Sequence, residues 1–459
     1  MGSRKSKLIK TLLPLLALPF IILSVKTVLD LRKGAAGIPA RIEVDSQITQ
    51  GPIPSSLWQN ISQGGEEAKD MIAPVISLAK NLSPQLIRID HLFDYYQVYN
   101  GPGNYNFEKL DQAINSILAT GAKPMLSLSY TPSSMAKNGQ NAGEPTDWNQ
   151  WYQLVKATAG RYSREKNISG IYYEVWNEPD LFGGWHYAKN PNYSILYLQT
   201  ARAVIDGAGN ADFKIGGPAT TGYYENWIKS IFKTAAENQL RLDFISWHKY
   251  SKEISDYEND FNNLNKILSG YPQYFNIERI LTEVGPNPEP DAWYDNKLSG
   301  IHLISLCTHL AGKVHRLFTF ELVDGPSPRS GNSTGWGMIT HHTSGSKPKP
   351  RYYALQFLNQ LQGQRLSSIG DGTWVTSLSA KNGPIISTLL VNYDSKNLHP
   401  ETVPVTYRAL TPGNYRLDTI IYMGRASSKS IFVPSFNYTE TIYMEPNSAL
   451  ILKLTPLDT

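Results

Sequence analysis

Between about residue 84 and residue 324, short runs of apolar, β-branched and aromatic residues alternate with stretches in which apolar residues recur at helical spacing. That alternation is the pattern of a parallel sheet whose strands are joined by crossover helices. Strands are predicted over 86–90, 124–130, 172–178, 213–219, 244–250, 279–285 and 316–324, with an eighth through 55–62. Helices are predicted over 107–118, stopping at Gly121, and over 148–162, with Gly160 near its end. Eight strand units favour a closed (β/α)₈ TIM barrel over an open doubly wound sheet. No Gly-x-Gly-x-x-Gly follows the first strand, so a dinucleotide-binding fold loses its main support.

The remainder of the chain reads differently. From about residue 366 only strands are expected, over 373–380, 384–393, 403–408, 415–423 and 440–454, with Gly, Pro and Asn between them. This suggests a C-terminal β-sandwich, to which the alternating segment 40–48 is expected to add a strand. The predicted domains are a signal peptide or membrane anchor (1–36), a linker with a sandwich strand (37–50), a catalytic barrel (51–362) and the β-sandwich (363–459).

Residues 4–10 are basic and 11–25 apolar, which is the layout of an export signal. A retained tether through residues 8–25 is the alternative, with Lys10 and Lys26 snorkelling. Either way the barrel is expected outside the cytoplasm, as a secreted, periplasmic or membrane-anchored protein. The net charge of +4 is set by this segment, because residues 1–33 hold seven Lys or Arg against one acid, leaving about −2 elsewhere. A near-neutral body argues against nucleic acid as a partner. The one cysteine, Cys307, falls in an apolar helical run and is expected to be a buried small hydrophobe.

Two segments carry chemistry. Ile171-Tyr172-Tyr173 leads into Glu174-Val175-Trp176-Asn177-Glu178-Pro179-Asp180, where proline ends ladder pairing and leaves Glu178 at a strand end. Arg279-Ile280-Leu281-Thr282-Glu283-Val284-Gly285-Pro286 repeats the arrangement for Glu283. On a barrel these residues fall on the fourth and seventh strands, across the mouth from each other, and C-terminal strand ends form the functional face. Two facing carboxyl groups, one protonated and one ionised, are what glycosidic-bond hydrolysis requires. No His-Glu-x-x-His, P-loop or Gly-x-Ser-x-Gly is present, and His341-His342 sits in a polar loop where solvation is expected. No metal or cofactor is expected.

The chain resembles a retaining glycoside hydrolase of clan A, and most of all family 39, the family of β-xylosidases and α-L-iduronidases. The resemblance rests on an ordered set across about residues 50–360: Arg88-Ile89-Asp90, Asn104-Tyr105-Asn106-Phe107-Glu108-Lys109-Leu110-Asp111, Lys123-Pro124-Met125-Leu126-Ser127-Leu128, the 174–180 motif, Gly216-Gly217-Pro218-Ala219, Asp243-Phe244-Ile245-Ser246-Trp247-His248-Lys249-Tyr250 and Leu281-Thr282-Glu283. It implies acid/base Glu178 and nucleophile Glu283. It further implies Asn177 on the sugar 2-hydroxyl, Arg88 and Tyr250 flanking the nucleophile, and His248 facing sugar hydroxyls. Glu321 and Trp336 would close the subsite, with Asp324 the alternative rim acid. The implied reaction is double displacement on an oligosaccharide, polysaccharide or glycoconjugate, as in a β-xylosidase or related exo-glycosidase. The alternatives are an endo-acting glycanase of the same clan and a non-catalytic surface carbohydrate-binding protein. Loops 130–144 and 286–297 are expected to set specificity, with Lys249, Lys297 and Arg329 the candidate cations for a uronic acid.

Overall fold

The computed structural model describes residues 37–326 and 335–457. The expected leader or anchor, residues 1–36, lies outside the described residues, among which no helix is long and apolar enough to cross a membrane.

The first strand among the described residues, β1 (Ile42–Pro52), does not belong to the barrel. The barrel is closed by β2 (Asn60–Gln63), β3 (Leu86–Ile89), β4 (Lys123–Leu128), β5 (Ile171–Val175), β6 (Phe213–Thr220), β7 (Phe244–Tyr250), β8 (Glu278–Gly285) and β9 (Arg316–Phe320), each parallel to its neighbours, with β9 returning to β2. Around it run α1 (Ile76–Lys80), α2 (Glu108–Ala119), α3 (Trp148–Ala159), α4 (Tyr193–Ala208), α5 (Glu225–Glu237), α6 (Ile254–Leu268), α7 (Lys297–Leu310) and α8 (Pro350–Leu358). The sequence places the first barrel strand over 55–62, whereas Ser55–Leu57 forms a 3₁₀ turn and pairing starts at Asn60. The reason is local: the Asn60 side-chain amide donates to the carbonyls of Ser56 (2.7 Å) and Leu57 (3.3 Å), which holds the turn.

The C-terminal strands are β10 (Gln364–Ile369), β11 (Val375–Asn382), β12 (Ile385–Asn392), β13 (Glu401–Arg408), β14 (Gly413–Ile421), β15 (Ala426–Val433), β16 (Tyr438–Met444) and β17 (Ser448–Pro456). With β1 they form one sheet in the order β15-β14-β17-β12-β11-β10-β1-β13-β16. Val433 and Met444 come from the two opposite edges of that order yet share one buried cluster, so the sheet folds over onto itself as a sandwich. The single strand expected over 440–454 is two strands, turned at Glu445-Pro446-Asn447, with Asn447 in the left-handed region (φ 54°). Strands β10 and β15 were not expected, and β15 shows why: all of it except Val433 faces solvent or is half-buried, so no apolar alternation marks it.

One face of the sandwich packs on the barrel. Leu378, Leu389, Val391 and Ile451 belong to the same apolar core as α7, and the Tyr422 hydroxyl donates to the Pro350 carbonyl at 2.6 Å. Helix α7 is therefore buried almost all round, Cys307 included, which is why it lacks a polar face.

Candidate active site

Alternation along the barrel strands builds the site in tiers. Leu86, Met125, Tyr172, Phe244, Ile280 and Phe318 gather in one buried apolar cluster, the floor of the barrel interior. Two residues further along the same strands stand Arg88, Ser127, Glu174 and Ser246, all fully buried. A buried guanidinium is costly unless paired, and Arg88 is paired three ways. Its Nε donates to Glu174 Oε2 (2.6 Å), Nη1 to Glu283 Oε1 (2.9 Å) and Nη2 to Asn177 Oδ1 (2.7 Å). One N–H of the Asn177 amide donates to the Tyr130 hydroxyl (2.8 Å), which leaves the other for a ligand in the cavity.

Glu178 stands in the turn beyond β5, in the left-handed region at φ 46°, with its N–H bonded to the Ala219 carbonyl (2.9 Å). Holding a non-glycine residue there requires support from its surroundings, and that hydrogen bond to the next barrel strand supplies it. Glu283 lies within β8, where the register breaks: Trp247 faces Leu281 but His248 faces Glu283, so Thr282 is the extra residue. Such a bulge re-aims side chains, and here it brings Glu283 level with His248. His248 Nδ1 lies 2.8 Å from Glu178 Oε1 and 3.4 Å from Glu283 Oε2. One oxygen of each carboxylate and a ring nitrogen of His248 all lie within 4.8 Å of one another. The Tyr250 hydroxyl donates to Glu283 Oε2 at 2.7 Å.

Burial pushes the Glu283 carboxyl up to about 7, even though His248 and Arg88 both pull it down. Burial alone would lower the His248 imidazole, but Glu283 and Glu178 on either side hold it above its ordinary value. Burial, then the Glu283 charge, raises the Tyr250 hydroxyl well above its ordinary range, so it stays a donor.

Both carboxylates, Asn177, Tyr250 and Trp336 border one cavity of about 890 Å³. Trp336 is fixed there by an Nε1 bond to the Pro288 carbonyl (3.1 Å) and an edge contact with Phe320. Other expectations need correction. His248 is fully buried and does not reach the cavity wall, so it faces the two carboxylates rather than sugar hydroxyls. Glu321 is buried beneath the wall, its Oε2 accepting from Gln63 Nε2 (2.9 Å) and the Gly64 N–H (3.2 Å). Asp324 is no rim acid either: Lys349 Nζ holds it at 3.0 Å, and the Gly337 N–H at 2.6 Å. His341 is buried against Glu67 (2.9 Å) instead of solvated, and His342 is exposed. Glu67 is also paired with Lys69 at 2.8 Å, so this cluster is already internally satisfied.

Of the loops expected to set specificity, Tyr130 reaches the cavity while Pro132, Gln140 and Ala142 border a separate depression. Pro288 and Glu289 supply the contribution of 286–297. Lys249 is at the wall but paired with Asp260 (3.1 Å), Lys297 begins α7 away from the cavity, and Arg329 lies outside the described residues. Sequence reasoning missed Glu174, Tyr130 and Asp90. The signal for Glu174 was present, because it stands two residues after an inward-facing Tyr172, in step with Arg88 after Leu86.

The profile of glycosyl hydrolases family 39 matches residues 41–297. The chain belongs to glycosyl hydrolase family 39. Among similar proteins, a β-xylosidase of Geobacillus stearothermophilus is 27% identical over 346 residues, 67% of this chain and 66% of that protein. A β-xylosidase of Caldicellulosiruptor saccharolyticus is 24% identical over 57% of this chain and 58% of that protein. The matches thus span less than two thirds of the length of these relatives. The crystal structure of a monomeric β-xylosidase from Caulobacter crescentus superposes with a TM-score of 0.75 at 21% identity, covering 91% of this chain and 100% of that one. The barrel and the sandwich are therefore the fold of family 39.

Proposed function

We propose that this chain is a retaining, exo-acting glycoside hydrolase of β-xylosidase type. The observation that carries the reading is the pair of carboxylates, Glu178 and Glu283, with oxygens within 4.8 Å across one cavity. Retaining enzymes hold the two groups about 5–5.5 Å apart, whereas inverting enzymes leave about 6.5–9.5 Å for a water. Glu283 attacks the anomeric carbon as Glu178 gives its proton to the departing oxygen. A covalent glycosyl ester on Glu283 results, and water deprotonated by Glu178 then attacks the same carbon and restores the starting configuration. Arg88 and Tyr250 donate to Glu283 and so favour its charged, attacking form. The spare Asn177 N–H suits the sugar 2-hydroxyl, a bond that strengthens in the transition state.

The names of the two sequence relatives support a xyloside as substrate. A uronic acid fits less well: Glu66, Asp90, Asp256 and Glu289 border the cavity beside the catalytic pair, and Lys249 is engaged by Asp260. The basic and apolar amino-terminal stretch supports action outside the cytoplasm. The test is hydrolysis of 4-nitrophenyl β-xyloside followed by proton NMR. Release of β-xylose as the first product is expected; first release of the α-anomer would refute double displacement. No turnover of any aryl glycoside would favour a binding protein.

A further inference from the structure

Among the acids on the cavity wall, Asp90 is unlike the rest. It follows β3, two residues beyond Arg88, and the residue is only 6% exposed. Its Oδ1 is buried and meets no hydrogen-bond donor. Yet Asp90 borders the same cavity as Glu178 and Glu283.

The charged neighbours do not satisfy it. Arg88 directs its bonds to Glu174, Glu283 and Asn177. His91, the next residue, gives Nδ1 to Asp94 (2.8 Å) and stacks on Tyr95 with ring centroids 4.0 Å apart. Position is enforced from the far side as well: a Cβ on Gly65 would lie 2.2 Å from the His91 ring, so the β2 loop packs tightly over this corner. A buried polar atom without a partner is costly in a folded protein, and one at a cavity wall calls for a ligand group that completes it. Asn177, which serves the 2-hydroxyl in the hydrolase reading, lies across the Arg88 guanidinium on a different strand end.

We propose that Asp90 is a specificity-determining residue of the glycone subsite, accepting a hydrogen bond from a ring hydroxyl other than the 2-hydroxyl. The proposal rests on the glycosidase reading and extends it. Its ligand class is a neutral sugar, because a carboxylate placed against Asp90 and Glu66 would meet like charge. Burial raises the Asp90 carboxyl above its ordinary value, with Asp94 and Glu178 adding to this against His91 and Arg88.

The experiment compares 4-nitrophenyl β-xyloside with its 2-deoxy, 3-deoxy and 4-deoxy analogues on the unsubstituted enzyme, Asp90→Ala and Asp90→Leu. For the unsubstituted enzyme, removal of the 3- or 4-hydroxyl should cost about tenfold to a hundredfold in kcat/KM, the range of one hydrogen bond to a charged group. In Asp90→Ala that same penalty should shrink to about twofold while the 2-deoxy penalty persists, which a merely structural role would not produce. If Asp90→Ala does not fold, Asp90→Leu, close in size and without an acceptor, is read in the same cycle, and a penalty shared with the unsubstituted enzyme overturns the proposal. Equal 3-deoxy and 4-deoxy penalties in all three proteins overturn it too, while leaving the glycosidase reading intact. Absence of turnover by the unsubstituted enzyme on every substrate overturns both.

Discussion

Arg88 Nε and Glu174 Oε2 meet at 2.6 Å with neither side chain exposed to solvent. Neither residue touches the cavity directly, yet through Arg88 this contact fixes both Asn177 and Glu283. Breaking a buried ion pair from one side strands the other charge, at a cost of about 3–5 kcal/mol. Glu174→Gln is expected to lower stability by about 3 kcal/mol in urea unfolding, because Arg88 keeps Glu283 as a partner. It should also reduce kcat more than it raises KM, since what is lost is the aim of the nucleophile. Unchanged unfolding would show that the pair contributes nothing.

The two catalytic carboxylates are expected to separate by leaving group. Glu283→Gln should reduce kcat by about a thousandfold or more for every substrate, because no covalent step remains. Glu178→Gln should be severe for an alkyl β-xyloside, about 10²–10⁴-fold, and mild in the first step for a 2,4-dinitrophenyl glycoside that leaves without a proton. Burst kinetics with the activated substrate distinguish the two. Equal losses for both leaving groups would reassign Glu178.

Acidity gives a third expectation. Glu283 ordinarily ionises near 4.5, and burial lifts it to about 7 in the folded protein. If Glu283 must be ionised to attack, the acidic limb of kcat/KM should lie above 4.5, toward 7. Stability follows with its own sign: the folded state holds this proton more tightly than the unfolded chain does. That contribution is complete below about 4.5 and is lost as pH rises through about 7. The Tm of Glu283→Gln relative to the unsubstituted protein should therefore rise across that window, and a flat difference would contradict the shift.

Tyr250 tests the same carboxylate from its other oxygen. Removing the 2.7 Å donor with Tyr250→Phe takes away a bond made to the ionised form. The acidic limb of kcat/KM should move to higher pH, and kcat should fall by about tenfold to a hundredfold. A fall in kcat with the limb unmoved would mean that Tyr250 acts on the substrate alone.

Much of this architecture can be read from residues because a strand repeats every two positions. Leu86 to Arg88 and Ile280 to Thr282 carry that rhythm openly, and the helices between them carry theirs. What stayed hidden depends on register between distant strands. The extra residue at Thr282 brings Glu283 level with His248, and nothing in the local sequence around either strand announces it. Glu321 looked like a rim acid because it stands at a strand end, but its burial is decided by Gln63 and Gly64, on the opposite side of the closure. In the sandwich, β15 was unreadable because a solvated edge strand has no need of apolar alternation.

The place of β1 bears on how the molecule is made. It lies between β10 and β13, so this strand, which precedes the barrel in the chain, has no lateral neighbour until the whole barrel has been translated. An early, waiting edge of this kind is open to mispairing. Truncations that end after α8 would take away both of its neighbours and strip the cover from α7.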